Sequence, residues 1–262
     1  MAQTLAFFAG LIVGSFLNVC IWRLPRSQSV VWPSSHCPSC DKPIAWYDNI
    51  PVLAWCFLKG KCRSCRAAIS FRYPVVELLG GLAAFAAFST WSGAYAAAAT
   101  VIFWALIVVI WVDWEHQIIP DEISVGGIVA GLAFSFFFPE WIGGPGAARG
   151  WTALVGSGVG VLLGGGILYF MAVIGERIFK KEAMGGGDVK LLAAVGAFLG
   201  WKGVLFTLFA GSVGGSIVGL GVKWTLKKET IPFGPYLALG AILYMFYGEA
   251  ILSWYFKSVL QY

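Results

Sequence analysis

The sequence predicts an all-α polytopic membrane protein of about eight transmembrane helices, with a small zinc-ribbon-like cytoplasmic module between helices 1 and 2. Three observations carry that prediction. Of 262 residues, 59% are hydrophobic and 12% charged, against roughly 25% charged in an ordinary soluble domain. Several uncharged runs, plainest at Trp151 to Gly175 and Gly203 to Val222, reach the roughly 20 residues that cross a hydrocarbon core of about 30 Å as a helix. The stretch Arg23 to Tyr73, by contrast, is polar and holds five of the six cysteines with eight basic residues.

Taken in chain order, the expected spans are roughly 3–22, 75–91, 94–113, 121–138, 151–174, 184–201, 203–222 and 233–256. The first run, Met1 to Trp22, is too long for a secretory signal and lacks the basic start and small-residue cleavage site of one, so it is expected to stay as a span. The chain then divides into a first helix (1–22), a four-cysteine module (23–74) and a membrane core (75–262). Setting the segments around 23–74, 114–120, 175–183 and 223–232 on one side leaves only Arg149, Lys202 and Lys257 of the 18 Lys and Arg on the other. By the positive-inside bias the basic side is cytoplasmic and both termini lie outside. The net charge of +5 thus reflects topology, and no nucleic-acid partner is expected. The 34 glycines are spread through the spans, where small residues let helices approach closely. Gly164, Gly165 and Gly166 read as packing positions on that ground.

Cys37-Pro38-Ser39-Cys40 and Cys62-Arg63-Ser64-Cys65 are two CxxC knuckles 21 residues apart, close to the spacing of four-cysteine zinc sites. Cys37, Cys40, Cys62 and Cys65 are the expected Zn2+ ligands. Disulfides are the rival pairing, disfavoured because the module faces a reducing compartment. A module this small builds little core, and a metal supplies folding energy that its apolar residues cannot. The zinc is therefore structural, without the open position of a catalytic site. Cys20 and Cys56 are left as core or membrane-buried thiols, and His36 as a loop residue.

From Val75 to Val112 the only acidic residue is Glu77, and these 38 residues must supply two crossings and a turn. At about 1.5 Å per residue the second helix has to run to Asp113 or beyond, drawing that carboxylate to the cytoplasmic boundary. Asp188 is placed alike, since only 11 uncharged residues lie between Lys190 and Lys202 and their reach is about 17 Å. Ionisable groups inside a span are costly and mark function. Two carboxyls a few ångströms apart do not both ionise, so one holds a proton while the other activates water. Asp113 and Asp188 are the catalytic candidates, and the glycines before Asp188 leave room for a substrate backbone. The bland alternatives are an interfacial helix end for Asp113 and a salt bridge to Lys190, or a helix cap, for Asp188. Asp121, after Pro120, reads as an N-cap. His116 is read as incidental and Glu249 as interfacial.

At these residues the chain resembles the type IV prepilin peptidases, over nearly its whole length. Gly14-Ser15-Phe16-Leu17-Asn18-Val19 with Arg23-Leu24-Pro25 is similar to the family's opening motif, followed by the paired CxxC module and Arg72-Tyr73-Pro74-Val75-Val76-Glu77. Asp113 with Ile118-Ile119-Pro120-Asp121 matches the first aspartate motif and Gly185-Gly186-Gly187-Asp188-Val189-Lys190 the second, and Ile231-Pro232-Phe233-Gly234-Pro235 completes the pattern. The resemblance implies a bacterial inner-membrane enzyme that cleaves the basic leaders of type IV prepilins or pseudopilins. It also implies N-methylation of the new terminus with S-adenosylmethionine, an activity for which no nucleotide-binding glycine motif appears in the chain. Asn18, Arg23 and Glu77, flanking the module at the membrane boundary, are the candidates for supporting the methyl donor or the amine. Arg23 as an interfacial anchor and Glu77 as a partner of Arg72 are their structural alternatives. The segment Asp113 to Glu122 holds four acidic residues and no Lys or Arg, a patch able to attract a basic leader. A proton- or cation-coupled transporter is the rival class, although its site is expected near the midplane between repeats. A zinc-dependent scaffold without chemistry would leave both aspartates without a purpose.

Overall fold

The protein is described by a computed structural model covering residues 1–143, 150–180, 184–226 and 231–258. Arg149, assigned above to the outer side, and Lys181, Lys227 and Lys228, assigned to the inner, lie outside the described residues. Among the described residues the secondary structure is helical: α1 (Ala2–Arg23), α2 (Leu53–Phe57), α3 (Arg72–Thr90), α4 (Gly93–His116), α5 (Asp121–Phe137), α6 (Glu140–Gly143), α7 (Gly150–Phe179), α8 (Gly186–Leu226) and α9 (Gly234–Ser258). Two compact units divide it, Met1–Val112 and Asp113–Tyr262.

Six helices, α1, α3, α4, α7, α8 and α9, are long and apolar enough to cross a membrane. The remaining two expected spans are present in altered form. The first of them, α5, has 17 residues, about 26 Å at helical rise, and is too short to stand among those six. Spans 184–201 and 203–222 are joined in α8, whose only break is Gly200, at φ 64 and ψ −174. A left-handed φ suits glycine and is why the helix turns there. Breaking a helix frees carbonyls, which hydrocarbon cannot satisfy. The Trp141 indole N–H donates to the Phe198 carbonyl at 2.8 Å and the Ser157 hydroxyl to the Ala197 carbonyl at 2.6 Å.

In the first unit α1 packs along α3, and glycine makes the contact possible. A Cβ on Gly10 would lie 2.5 Å from the Gly80 carbonyl oxygen, and one on Gly14 would lie 2.6 Å from the Glu77 Cα. Such backbone-level contact is the small-residue packing of membrane helices, where dispersion replaces the hydrophobic effect. Trp104 of α4 donates its indole N–H to the Gly80 carbonyl at 3.0 Å. In the second unit α8 packs on α5, α7 and α9. Gly160 and Gly164 of α7 lie against the backbone of Gly196 and Leu192 in the first half of α8. Of the Gly164-Gly165-Gly166 run, Gly164 is at the contact while a Cβ on Gly166 would meet nothing within 4 Å.

Candidate active site and metal centre

The two knuckles repeat one local design. After each second cysteine a residue adopts the left-handed conformation, Asp41 at φ 54 and Arg66 at φ 61. Its N–H returns to the carbonyl of the first cysteine, Cys37 or Cys62, and isolated bridges His36–Pro43 and Lys61–Ala68 close the loops. The four Sγ atoms of Cys37, Cys40, Cys62 and Cys65 consequently all lie within 4.8 Å of one another, with Cys37 and Cys65 3.8 Å apart. Thiolates on a tetrahedral zinc with bonds of about 2.3 Å sit roughly 3.8 Å apart, so the donor set fits that ion. All six cysteines are free thiols. The Cys65 and Ser64 N–H groups pull the Cys62 thiol down to about 6. Cys65, although the Ala67 N–H lowers it, is carried up to about 11 by desolvation and the neighbouring thiols. His36 turns away, its Nδ1 3.1 Å from the Ser34 carbonyl.

Asn18, Arg23 and Glu77 are all buried, and each has a defined set of contacts. The Arg23 guanidinium donates to the Ser29 and Pro33 carbonyls at 3.0 and 2.8 Å, which pins the turn after α1. Glu77 accepts the Val52 N–H at 2.7 Å. Asn18 donates from Nδ2 to the Gly14 and Tyr73 carbonyls, while its Oδ1, on a residue 2% exposed, is buried without a hydrogen-bond partner. Asn18 and Glu77 meet around Gly14, and Arg23 is committed to the neighbouring turn. An acceptor without a partner on Asn18 is one to which an amine-bearing ligand could donate.

Asp113 lies in the last turn of α4, 5% exposed. Its Oδ2 accepts the Gly234 N–H at 2.9 Å, at the start of α9. A helix N-terminus offers free N–H groups and a partial positive charge to such an anion. Asp188 sits in the first turn of α8, where its Oδ1 is buried without a partner and the charge on Asp113 acts on it. Ile119 links the two neighbourhoods. A Cβ on Gly187 would stand 3.0 Å from the Ile119 Cβ, and one on Gly234 would stand 3.1 Å from its Cδ1. The second unit thus brings both sequence-selected aspartates together.

Lys190, the alternative partner of Asp188, is engaged instead by Asp121, Nζ to Oδ1 2.6 Å. Asp121 is also not the cap of α5. That position is Pro120, with no side-chain cap, and Asp121 is the first helical residue, its carboxylate turned to Lys190. His116 and Glu249 are exposed. Sequence reasoning gave no role to the Gly234 amide or to the Trp141 and Ser157 braces. The proline-flanked Phe233-Gly234-Pro235 turn was the available signal for the first, and nothing marked the other two.

These features define a polytopic membrane protein with a buried carboxylate, Asp113, paired with the half-buried Asp188, and a four-cysteine centre able to hold a metal. Residues 8–91 match the bacterial peptidase A24 N-terminal domain and residues 100–220 the type IV leader peptidase family. A prepilin leader peptidase/N-methyltransferase of Aeromonas salmonicida (strain A449) is 33% identical over 98% of this chain and 94% of its own. One from Myxococcus xanthus (strain DK1622) is 41% identical over 82% of this chain and 61% of its own. The type 4 prepilin-like proteins leader peptide-processing enzyme of Escherichia coli O78:H11 is 38% identical over 91% of each chain. The chain belongs to the type IV leader peptidase family, which does not favour the transporter reading. No solved structure matches it.

Proposed function

We propose that this protein cleaves the leader peptide of type IV prepilins or pseudopilins at the cytoplasmic face of the inner membrane and N-methylates the new terminus. The observation that carries the peptidase reading is the pairing of Asp113, held by the Gly234 N–H, with Asp188, whose Oδ1 is buried and unpartnered. One carboxylate takes a proton from a water as its oxygen attacks the scissile carbonyl, while the protonated partner donates to the carbonyl oxygen. Collapse of the tetrahedral intermediate returns a proton to the departing amine. One water is consumed, and a leader carboxylate and a new N-terminal amine are released. The Gly185-Gly186-Gly187 run gives an extended substrate access to Asp188.

The finer assignments follow the same reading. Residues 23–74 act as a zinc-bound cytoplasmic module with Cys37, Cys40, Cys62 and Cys65 as ligands, both termini lie outside the cytoplasm, and 75–262 carry the peptidase. S-adenosylmethionine supplies an activated methyl group on a sulfonium centre. Asn18 and Glu77 hold the donor or the accepting amine in line, and Arg23 keeps the adjoining turn in place. The test is to incubate the purified, reconstituted protein with a type IV prepilin and to map the product's N-terminus by mass spectrometry. Release of the intact leader with a methylated new terminus is the expected result, and an uncut prepilin would sink the proposal.

A further inference from the structure

The cysteine module carries an apolar face that neither the aspartates nor the metal uses. In α2, Leu53 and Phe57 are 56% and 83% exposed, and Trp46 just before it is 81% exposed. Leu53 and Phe57 stand four residues apart and so share one side of the helix. Ala54 is buried instead, and Trp55 packs on Phe71 with its indole N–H on the Ile69 carbonyl. Patches of this kind on a soluble surface mark an interaction site.

The depth of this face follows from its anchors. The Val52 N–H, one residue before α2, is bonded to Glu77 inside α3, and Asn49 meets the Ser15 hydroxyl inside α1 at 3.4 Å. Glu77 lies five residues beyond Arg72, the start of α3, about 7.5 Å along the helix. The headgroup layer on one side of a bilayer is roughly 5–8 Å thick. With Arg72 among the headgroups, Val52 is held where the hydrocarbon begins, and Leu53 and Phe57 follow at the same level.

The charge of the module selects the surface. Residues 23–73 hold eight basic and two acidic side chains. One acid, Asp48, is taken by Arg63 at 2.6 and 2.7 Å, and Lys42, Lys59 and Lys61 are exposed. A basic leader peptide would be repelled here, whereas anionic headgroups are attracted, each basic residue near the surface contributing about a fivefold preference. We infer that α2 and its flanks form an interfacial anchor, in which Trp46, Leu53 and Phe57 enter the headgroup–acyl boundary while Lys42 and Lys59 hold anionic phospholipid headgroups. It is a second membrane attachment, in addition to the spans.

The exposed Cys56 of α2 offers a probe. The full-length, zinc-loaded protein with Cys20→Ala is labelled at Cys56 with a nitroxide and placed in nanodiscs of phosphatidylcholine with or without phosphatidylglycerol. Oxygen collisions should exceed those with an aqueous nickel chelate several-fold. Leu53→Ser/Phe57→Ser should abolish that excess while zinc content and prepilin cleavage stay unchanged. Native mass spectrometry should find phosphatidylglycerol retained over phosphatidylcholine, with Lys42→Ala/Lys59→Ala reducing the preference by an order of magnitude. A nitroxide as open to the chelate as in bulk water, or equal retention of the two lipids, overturns the inference. So does a collision ratio that changes only when prepilin is added, which would assign the face to the substrate.

Discussion

Gly234→Ala tests whether the Asp113 carboxylate works at its observed position. The added Cβ would come within 2.6 Å of the Asp113 Oδ2, where ordinary contact begins at 3.4 Å, and within 3.1 Å of the Ile119 Cδ1. One of the two must move by about 0.8 Å, and misplacing a reacting group by 1 Å costs about 100-fold in rate. Loss of the Gly234 N–H bond to a charged acceptor adds about 1.5–3 kcal/mol if the carboxylate swings away. Cleavage of a reconstituted prepilin should therefore fall by about 10²-fold from the displacement alone and by up to about 10⁴-fold if the bond is lost as well. The readout is kcat under saturating substrate. Methylation of a pre-cleaved pilin, which the proposed function assigns to the other unit, and thermal unfolding in the same detergent report on the fold. Near-native turnover by the alanine variant would refute the idea that Asp113 must sit against this amide. If cleavage is lost while both methylation and the thermal unfolding transition are kept, folding damage is excluded as the cause.

Further outcomes are expected elsewhere in the chain. Asp113→Asn and Asp188→Asn should each abolish cleavage, because the dyad mechanism needs both carboxyls; turnover by a folded single variant, followed by mass spectrometry, would remove that residue from the mechanism. Elemental analysis should find one zinc per chain, and Cys40→Ser or Cys65→Ser should lose it and open the 37–65 segment to limited proteolysis, since a structural zinc supplies folding energy directly. The Lys190 and Asp121 side chains of the pair are exposed at 43% and 63%, so Lys190→Ala should cost at most about 1 kcal/mol of stability, and the reversed pair Asp121→Lys/Lys190→Asp should recover what either change alone loses in thermal unfolding. Glu77→Gln should leave prepilin cleavage intact and reduce methylation of a pre-cleaved pilin supplied with S-adenosylmethionine, and equal loss of both activities would make Glu77 a packing residue of α1 and α3.

Much of this was legible in residue order, for identifiable reasons. Hydrophobic length fixes membrane helices because an unpaired backbone cannot cross hydrocarbon, and so six long apolar helices were found where segments were expected, while the short α5 and the joining of two segments in α8 were not foreseen. Paired CxxC spacing fixes which thiols converge, because each knuckle closes locally through Asp41 or Arg66. The aspartates stood out because charge is rare at those depths. Contacts between residues distant in sequence were not legible. Whether Lys190 turns to Asp188, two residues away, or to Asp121 on another helix depends on how α5 meets α8. The same holds for Gly234 on Asp113, 121 residues apart.

The glycines explain how a membrane protein holds a costly carboxylate still. Asp188 is at the start of a helix whose first half, 186–199, is short and ends in a break at Gly200, so its own length anchors it poorly. Gly160 and Gly164 of α7 compensate by meeting Gly196 and Leu192 backbone to backbone, contacts that admit no side-chain rearrangement. The Ser157 and Trp141 bonds to the Ala197 and Phe198 carbonyls fix the far end, where an unsatisfied carbonyl in hydrocarbon would cost several kcal/mol. Held along its side and at its end, the half-helix keeps Asp188 near Asp113 without a hydrogen bond to Oδ1 of Asp188, whereas Asp113 is held by the Gly234 N–H. The side-chain bonds that brace this half-helix lie at its far end from Asp188, whose Oδ1 stays without a partner.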